Sequence, residues 1–201
     1  MVFSFYGNFK VFKHLFNTRG LNMSWPTSKD IEILGKLPKK KLFELFFLQI
    51  RNLWRVDGLY FLGIEERFAT EAATEIDANC WKIMGKIEAR ELKTLLGIKE
   101  TDIPALIETL KHTSWALYQT GKEAEATDEK GVFRVTECRT QKTRLEKGLG
   151  EFPCKLVRHG FLKSFAEAFN PNVEAVCRVC PPDKHSENLW CEWEFKKRRR
   201  G

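Results

Sequence analysis

Three cysteines near the C-terminus constrain this chain most. Cys177, Cys180 and Cys191 lie in 172–195, NVEAVCRVCPPDKHSENLWCEWEF. Two β-rich runs, 173–180 and 189–195, flank a polar loop that opens with Pro-Pro-Asp, so the spacing predicts a β-hairpin whose closure gathers three sulfurs. Zinc and iron–sulfur centres need several thiolates converging on one point, and Cys-x-x-Cys supplies two from one turn of backbone. The expected ligands are Cys138, Cys177, Cys180 and Cys191, with Cys154 as the alternate to Cys138, since both stand at predicted helix starts. His159, Asp183 and His185 are reserves. Two other readings of the same cysteines stay open, a redox or nucleophilic thiol and plain packing of a small apolar side chain. Cys80 reads as packed.

The chain is long enough for one domain with a sizeable core, because 43% of its 201 residues are hydrophobic, with 16 Phe and 6 Trp. Its formal charge of +7 sits at the ends: Lys10, Lys13 and Arg19 in 1–22, and the KKRRR run from Lys196 to Arg200, leave the stretch between them at −1. A single terminal basic run reads as a solvated tail, so no dedicated nucleic-acid surface is expected. No run reaches the length of an uncharged membrane span, and none is expected. Residues 1–22 read as a flexible extension or as sequence upstream of a true start at Met23, where MSWPTSKD opens a helix. Six cysteines with a Cys-x-x-Cys pair favour reduced thiols or metal ligands, hence a cytoplasmic protein.

The order of elements predicts an α+β fold, with N-terminal helices packed on a small antiparallel sheet and a C-terminal Cys-bearing hairpin, forming one domain over 23–195 with a basic tail at 196–201. Thr27 or Ser28 caps a helix over 29–34. Residues 39–56 form a helix apolar on most sides, which should be buried in the domain or in a partner. Asp57-Gly58 should break or kink it, and a long helix follows from 59 to about 96, ended by Gly97. Another starts at Thr101 or Asp102 with Pro104 and runs to about 118. A polar loop or hairpin end over 120–131, a strand over 132–138, a short basic helix over 139–147 and a helix over 153–169 complete the series.

On a helical wheel the long helix places Phe61, Phe68, Ala72, Ile76 and Ile83 in one arc, with Glu65, Glu75 and Asn79 in or beside it. Carboxylates on an apolar face pair, bind metal or line a ligand pocket. Asp57, Glu65, Glu75 and Asn79 are therefore the expected ligand-binding residues; solvent at the helix edge or an arginine against Glu65 is the alternative. Glu66, Glu71 and Asp77 fall outside the arc and read as solvated. There is no glycine loop for nucleotides and no Ser, His and Asp pattern.

The segments LWRVDGLYFLGIEERF, EAATEID, ECRTQ, EFPCK, CRVCPPD and CEWEF, spread over most of 23–195, resemble a family of uncharacterised archaeal and bacterial cytosolic proteins, some labelled similar to L-2-amino-thiazoline-4-carboxylic acid hydrolase. The cysteine-bearing half also resembles the 4-vinyl-reductase type of small-molecule-binding domain, which implies a ligand pocket between helices and sheet with cysteines near its mouth.

Three functions are compatible with these residues. The first is a cytosolic small-molecule-binding protein with a Cys-ligated metal ion or iron–sulfur cluster. The second is an enzyme hydrolysing a non-peptide C–N bond of a cyclic amidine such as a thiazoline carboxylate, with Glu65, Glu75 and Cys138 as candidate catalytic groups. In the third, the cysteines are a folding staple and helix 39–56 is a homodimer interface.

Overall fold

The computed structural model describes residues 26–198. The extension 1–22 and the end of the basic tail lie outside the described residues. The chain divides into a unit ending at Phe46 and a larger one from Phe47 onward. In the first, α1 (Ser28–Gly35) begins with a capping box: the Thr27 hydroxyl accepts from the Asp30 amide at 3.2 Å, and the Asp30 carboxylate accepts from the Thr27 amide at 2.8 Å.

Helix α2 (Lys39–Arg67) runs straight through Asp57-Gly58, contrary to the break expected there. A glycine inside a helix costs only about 1 kcal/mol. Trp54 and Phe61, both buried, anchor the helix on either side of it. The chain turns instead at Phe68 and Ala69, where an extended Ala69 precedes α3 (Thr70–Leu95). This break resets the helical phase. The buried stripe of α3 is Ala73, Thr74, Trp81, Gly85 and Ala89, while Ile76 is 48% exposed. Several apolar side chains of α2 are also exposed rather than buried, among them Leu53, Val56 and Tyr60.

Asp102 caps α4 (Ile103–Leu110) by accepting from the Ala105 amide at 2.8 Å, and Thr113 caps a separate short α5 (Ser114–Tyr118), so the single helix expected here is two. Four antiparallel strands follow, in the order β1-β2-β4-β3: β1 (Gly121–Ala126), β2 (Lys130–Glu137), β3 (Val173–Val179) and β4 (Cys191–Lys197). Of the two readings of 120–131, loop or hairpin end, the structure shows the second: β1 and the turn into β2. Between β2 and β3 lie α6 (Arg139–Glu146) and α7 (Lys155–Phe169). The fold is α+β, with most helices N-terminal to the sheet and a Cys-bearing hairpin at its C-terminal end.

Alternation decides the two faces of the sheet. Phe133, Val135, Trp193, Phe195, Val173 and Ala175 point into the core with α4 and α7. The opposite face carries ion pairs, Arg134 with Glu192 and Glu125, and Glu194 with Arg178 and Lys130. The basic tail begins inside this arrangement: Lys196 pairs with Glu174, Lys197 with Glu129 and Arg198 with Glu167. Helix α3 lies against α7 at very close range. A Cβ on Gly85 would stand 2.3 Å from the Phe161 carbonyl oxygen.

Candidate functional site

The hairpin forms as the spacing predicts, with β3 and β4 paired from Val173–Lys197 to Val179–Glu192. Its loop turns tightly after Cys180, through a cis Pro181-Pro182 peptide and an Asp183 amide that donates to the Cys180 carbonyl at 2.9 Å. The Asp183 carboxylate accepts from Lys155 Nζ at 2.8 Å and from the Cys180 amide at 3.3 Å. That pair ties the loop to the start of α7. Lys155 beside it holds the Asp183 carboxyl below the usual carboxylate range.

This turn brings Cys180, at the end of β3, against Cys154, just before α7, with their sulfurs 3.4 Å apart. Cys177 and Cys191 also bear on Cys180, which makes it the hub of four thiols drawn from two strands and a helix start. Interaction with the hub lowers the thiols of Cys154 and Cys177 and raises that of Cys180 itself. Gln141 Nε2 approaches Cys154 Sγ at 3.6 Å, and the same amide group clasps the Phe152 backbone at both its N–H and its carbonyl. Among the described residues, no group of three or more His, Cys, Asp or Glu stands in ready metal-ligand geometry. The sulfurs gather around one of their own number rather than around an open centre.

Cys138 is the expected ligand that stays out of this group. It precedes α6 and packs beside Cys154 and Cys191 without a hydrogen bond to the hub; Cys154 takes its place. Burial pushes the Cys138 thiol up to about 12, which leaves it a poor nucleophile at neutral pH. Cys80 is exposed, not packed in the core. His159 lies over Trp193 and His185 beside Trp190, neither in the thiol group.

The expected ligand-binding residues do not converge. Arg144 engages Glu65 through two hydrogen bonds of 3.0 Å, and the Thr70 hydroxyl donates to it at 2.8 Å, so its carboxylate is saturated. Arg144 beside it also lowers the Glu65 pKa. Glu75 and Asn79 border an open groove with Lys82, Lys86 and Lys163 on the far side of α3. Only Asp57 faces a formed cavity, of about 260 Å³, with aromatic walls from Trp54, Tyr118, Phe61 and Phe152.

Asp77 stands with Asp57 at this cavity, although the sequence placed it in solvent. It is half-buried and feels the charge of Asp57, whose Oδ1 accepts from the Trp81 indole at 3.1 Å. Burial, and then the charge of Asp57, push the Asp77 carboxyl up to about 7, and burial raises Asp57 as well. Both carboxyls are therefore held toward the protonated form. Trp54 is sandwiched between Trp81 and Tyr118 at centroid distances of 4.7 and 5.1 Å.

Both aspartates also line a smaller inner cavity of about 40 Å³ that extends to Cys138, Cys154 and Cys191. Arg158 lies there, its guanidinium 4.8 to 5.6 Å from the rings of Trp54, Trp81, Trp115 and Phe161. A buried cation over several π faces is held electrostatically without a hydrogen-bonded counter-ion. Its charge bears on Asp57, Asp77, Glu88 and Cys154. The signal that identifies Asp77 in sequence is its i, i+4 spacing from Ala73 and Trp81; nothing marks Arg158.

No curated protein matches the chain. Among solved structures it is similar to a trafficking protein particle complex subunit 3 from Naegleria fowleri, covalently bound to palmitic acid, at a TM-score of 0.49 and 11% identity over 76% of this chain and 96% of that one. A family model matches residues 35–197, and the chain thus belongs to DUF6125, a family of unknown function.

Proposed function

We propose that this chain is a small-molecule-binding protein whose binding domain is pinned by a metal centre at Cys154, Cys177, Cys180 and Cys191. The observation that carries the reading is the convergence of three thiols on Cys180 from separate elements. Four sulfur donors with a Cys-x-x-Cys pair suit a soft ion, and the donor set fits zinc. A tetrahedral zinc with bonds near 2.3 Å sets its sulfurs roughly 3.8 Å apart. The 3.4 Å between Cys154 and Cys180 is close to that edge. Gln141, near Cys154, and Asp183, bound to the Cys180 amide, would orient the ligands from outside.

The aromatic cavity is the small-molecule site in this reading, and the inner cavity joins it to the sulfurs. Elemental analysis with an absorption spectrum, on full-length protein purified without oxygen, tests the centre. About one zinc per chain is expected, falling to background in Cys180→Ser. A metal-free wild-type protein, or unchanged metal in that variant, overturns the assignment; a broad visible band with iron replaces zinc by an iron–sulfur cluster.

A further inference from the structure

The aromatic cavity is polarised along its depth. Asp57 and Asp77 line both the outer and the inner cavity, so they stand at the junction, the inner end of the outer cavity. Lys147 and Arg55 line only the outer one and are exposed. Arg144 also borders it, but its charge is taken up by Glu65. Carboxylates thus lie deep and exposed cations lie at the mouth, Arg55 there donating to Asn52 at 3.1 Å.

The inner end also has hydrogen-bonding capacity to spare. Arg158 is 6% exposed and its Nη1 has no partner. It borders the inner cavity with both aspartates yet hydrogen-bonds to neither, because the surrounding rings hold it. One positive charge therefore faces three carboxyls, Asp57, Asp77 and Glu88. Carboxyls outnumber the cation at this end, so it favours a further positive charge over a negative one. A cation entering from the outer cavity restores the balance and finds carboxylate oxygens to accept its N–H groups.

Resting on the small-molecule reading above, we infer that this cavity binds a small planar dipolar molecule, with an amidinium or ammonium group directed inward to Asp57 and Asp77 and an anionic group at Lys147 and Arg55. The volume of about 260 Å³ limits the ligand to one or two rings. An amidinium suits the inner end best, since its N–C–N edge presents parallel donors to a carboxylate.

Calorimetric titration of the full chain with 4-amidinobenzoate, benzamidine, benzoate and neutral benzamide tests this. The dipolar probe should bind best, about threefold tighter than benzamidine, as one exposed ion pair allows. Benzoate alone should not bind measurably. Asp77→Asn should weaken both amidines at least about tenfold, the loss of a charge-assisted hydrogen bond, and Lys147→Glu should remove only the advantage of the dipolar probe. Should Asp77→Asn fail to fold by circular dichroism, the exposed Lys147→Glu variant and the probe series decide. Benzoate binding as tightly as benzamidine, benzamidine matching the dipolar probe, or a folded Asp77→Asn with unchanged affinity overturns the inference. If benzamide binds as well as the dipolar probe, the cavity is a small-molecule site without this polarity. If no probe binds at millimolar concentration, both fail, while metal content still reports separately on the thiol centre.

Discussion

Asp77 shows how much one side chain's setting decides. Its carboxyl titrates at about 7 because burial and the neighbouring Asp57 both disfavour the ionised form, while Arg158 and the Trp81 indole only partly compensate. Cys80 on the same helix, Arg144 with its charge taken up by Glu65, the exposed Arg55 and Lys147, and Cys138, Cys154 and Cys191 at the inner cavity also surround the pair. In the unfolded chain the same group ionises near 3.8. Between these values the unfolded state has lost a proton that the folded state still holds, so stability falls as pH rises from about 4 to about 7 and then levels. Asp77→Asn cannot ionise. Urea midpoints across pH 4 to 8 should show this slope in the wild type and a flatter curve in the variant, with the variant the more stable above neutrality. Parallel curves would refute the raised carboxyl. The opposite sign holds for Glu65, whose pKa is lowered by Arg144, so its contribution is lost as pH falls.

At the scale of elements, the contact between α3 and α7 is set by small residues. Gly85 admits the Phe161 carbonyl, a backbone atom that cannot swing aside. Gly85→Ala should therefore destabilise by about 1–3 kcal/mol, the usual cost of overpacking. Gly63→Ala, in α2 with nothing within 4 Å of the added Cβ, should stabilise by about 0.5–1 kcal/mol. Chemical denaturation separates the two, and equal effects would mean that the helices do not approach so closely. The same contact explains what was legible in the sequence. Strands and caps carry local signals, so the hairpin at Cys177 to Cys191, the Thr27 and Asp102 caps and the α+β order could be read directly. The helical wheel failed because its phase was carried from Phe61 through Phe68 and Ala69, where the helix ends. It also weighed large apolar residues, while the buried stripe of α3 is marked by Ala73, Gly85 and Ala89. Asp77 falls outside the arc with that stripe, and of the two readings open for Glu65 the arginine partner is the one found, supplied by the distant Arg144. Cys154 meets Cys180 only because the hairpin docks against the start of α7, a tertiary fact.

Across the whole molecule the thiols join what would otherwise be separate pieces. Cys154 belongs to the start of α7, Cys177 and Cys180 to β3 and its end, and Cys191 to the first position of β4. A metal held by all four would fasten the helical layer to the sheet at the same end as the aspartate cavity. Because the folded chain assembles these ligands and the unfolded chain does not, metal affinity adds to folding stability. At a free metal concentration 100 times the dissociation constant the gain is about 2.7 kcal/mol. For a domain of this size 1 kcal/mol moves the thermal midpoint by about 2–4 °C, so chelation should lower it by roughly 5–10 °C. Cys180 and Cys191 are two small members of a core built mainly of large aromatic and aliphatic side chains, so far-ultraviolet circular dichroism at 25 °C should stay unchanged as the midpoint drops. Readdition of zinc should restore it in the wild type but not in Cys180→Ser. A chelator-insensitive midpoint in protein shown to have lost its metal would mean that the sulfurs contribute packing alone, and that the α7–hairpin junction stands on the Lys155–Asp183 pair and the Gln141 clasp.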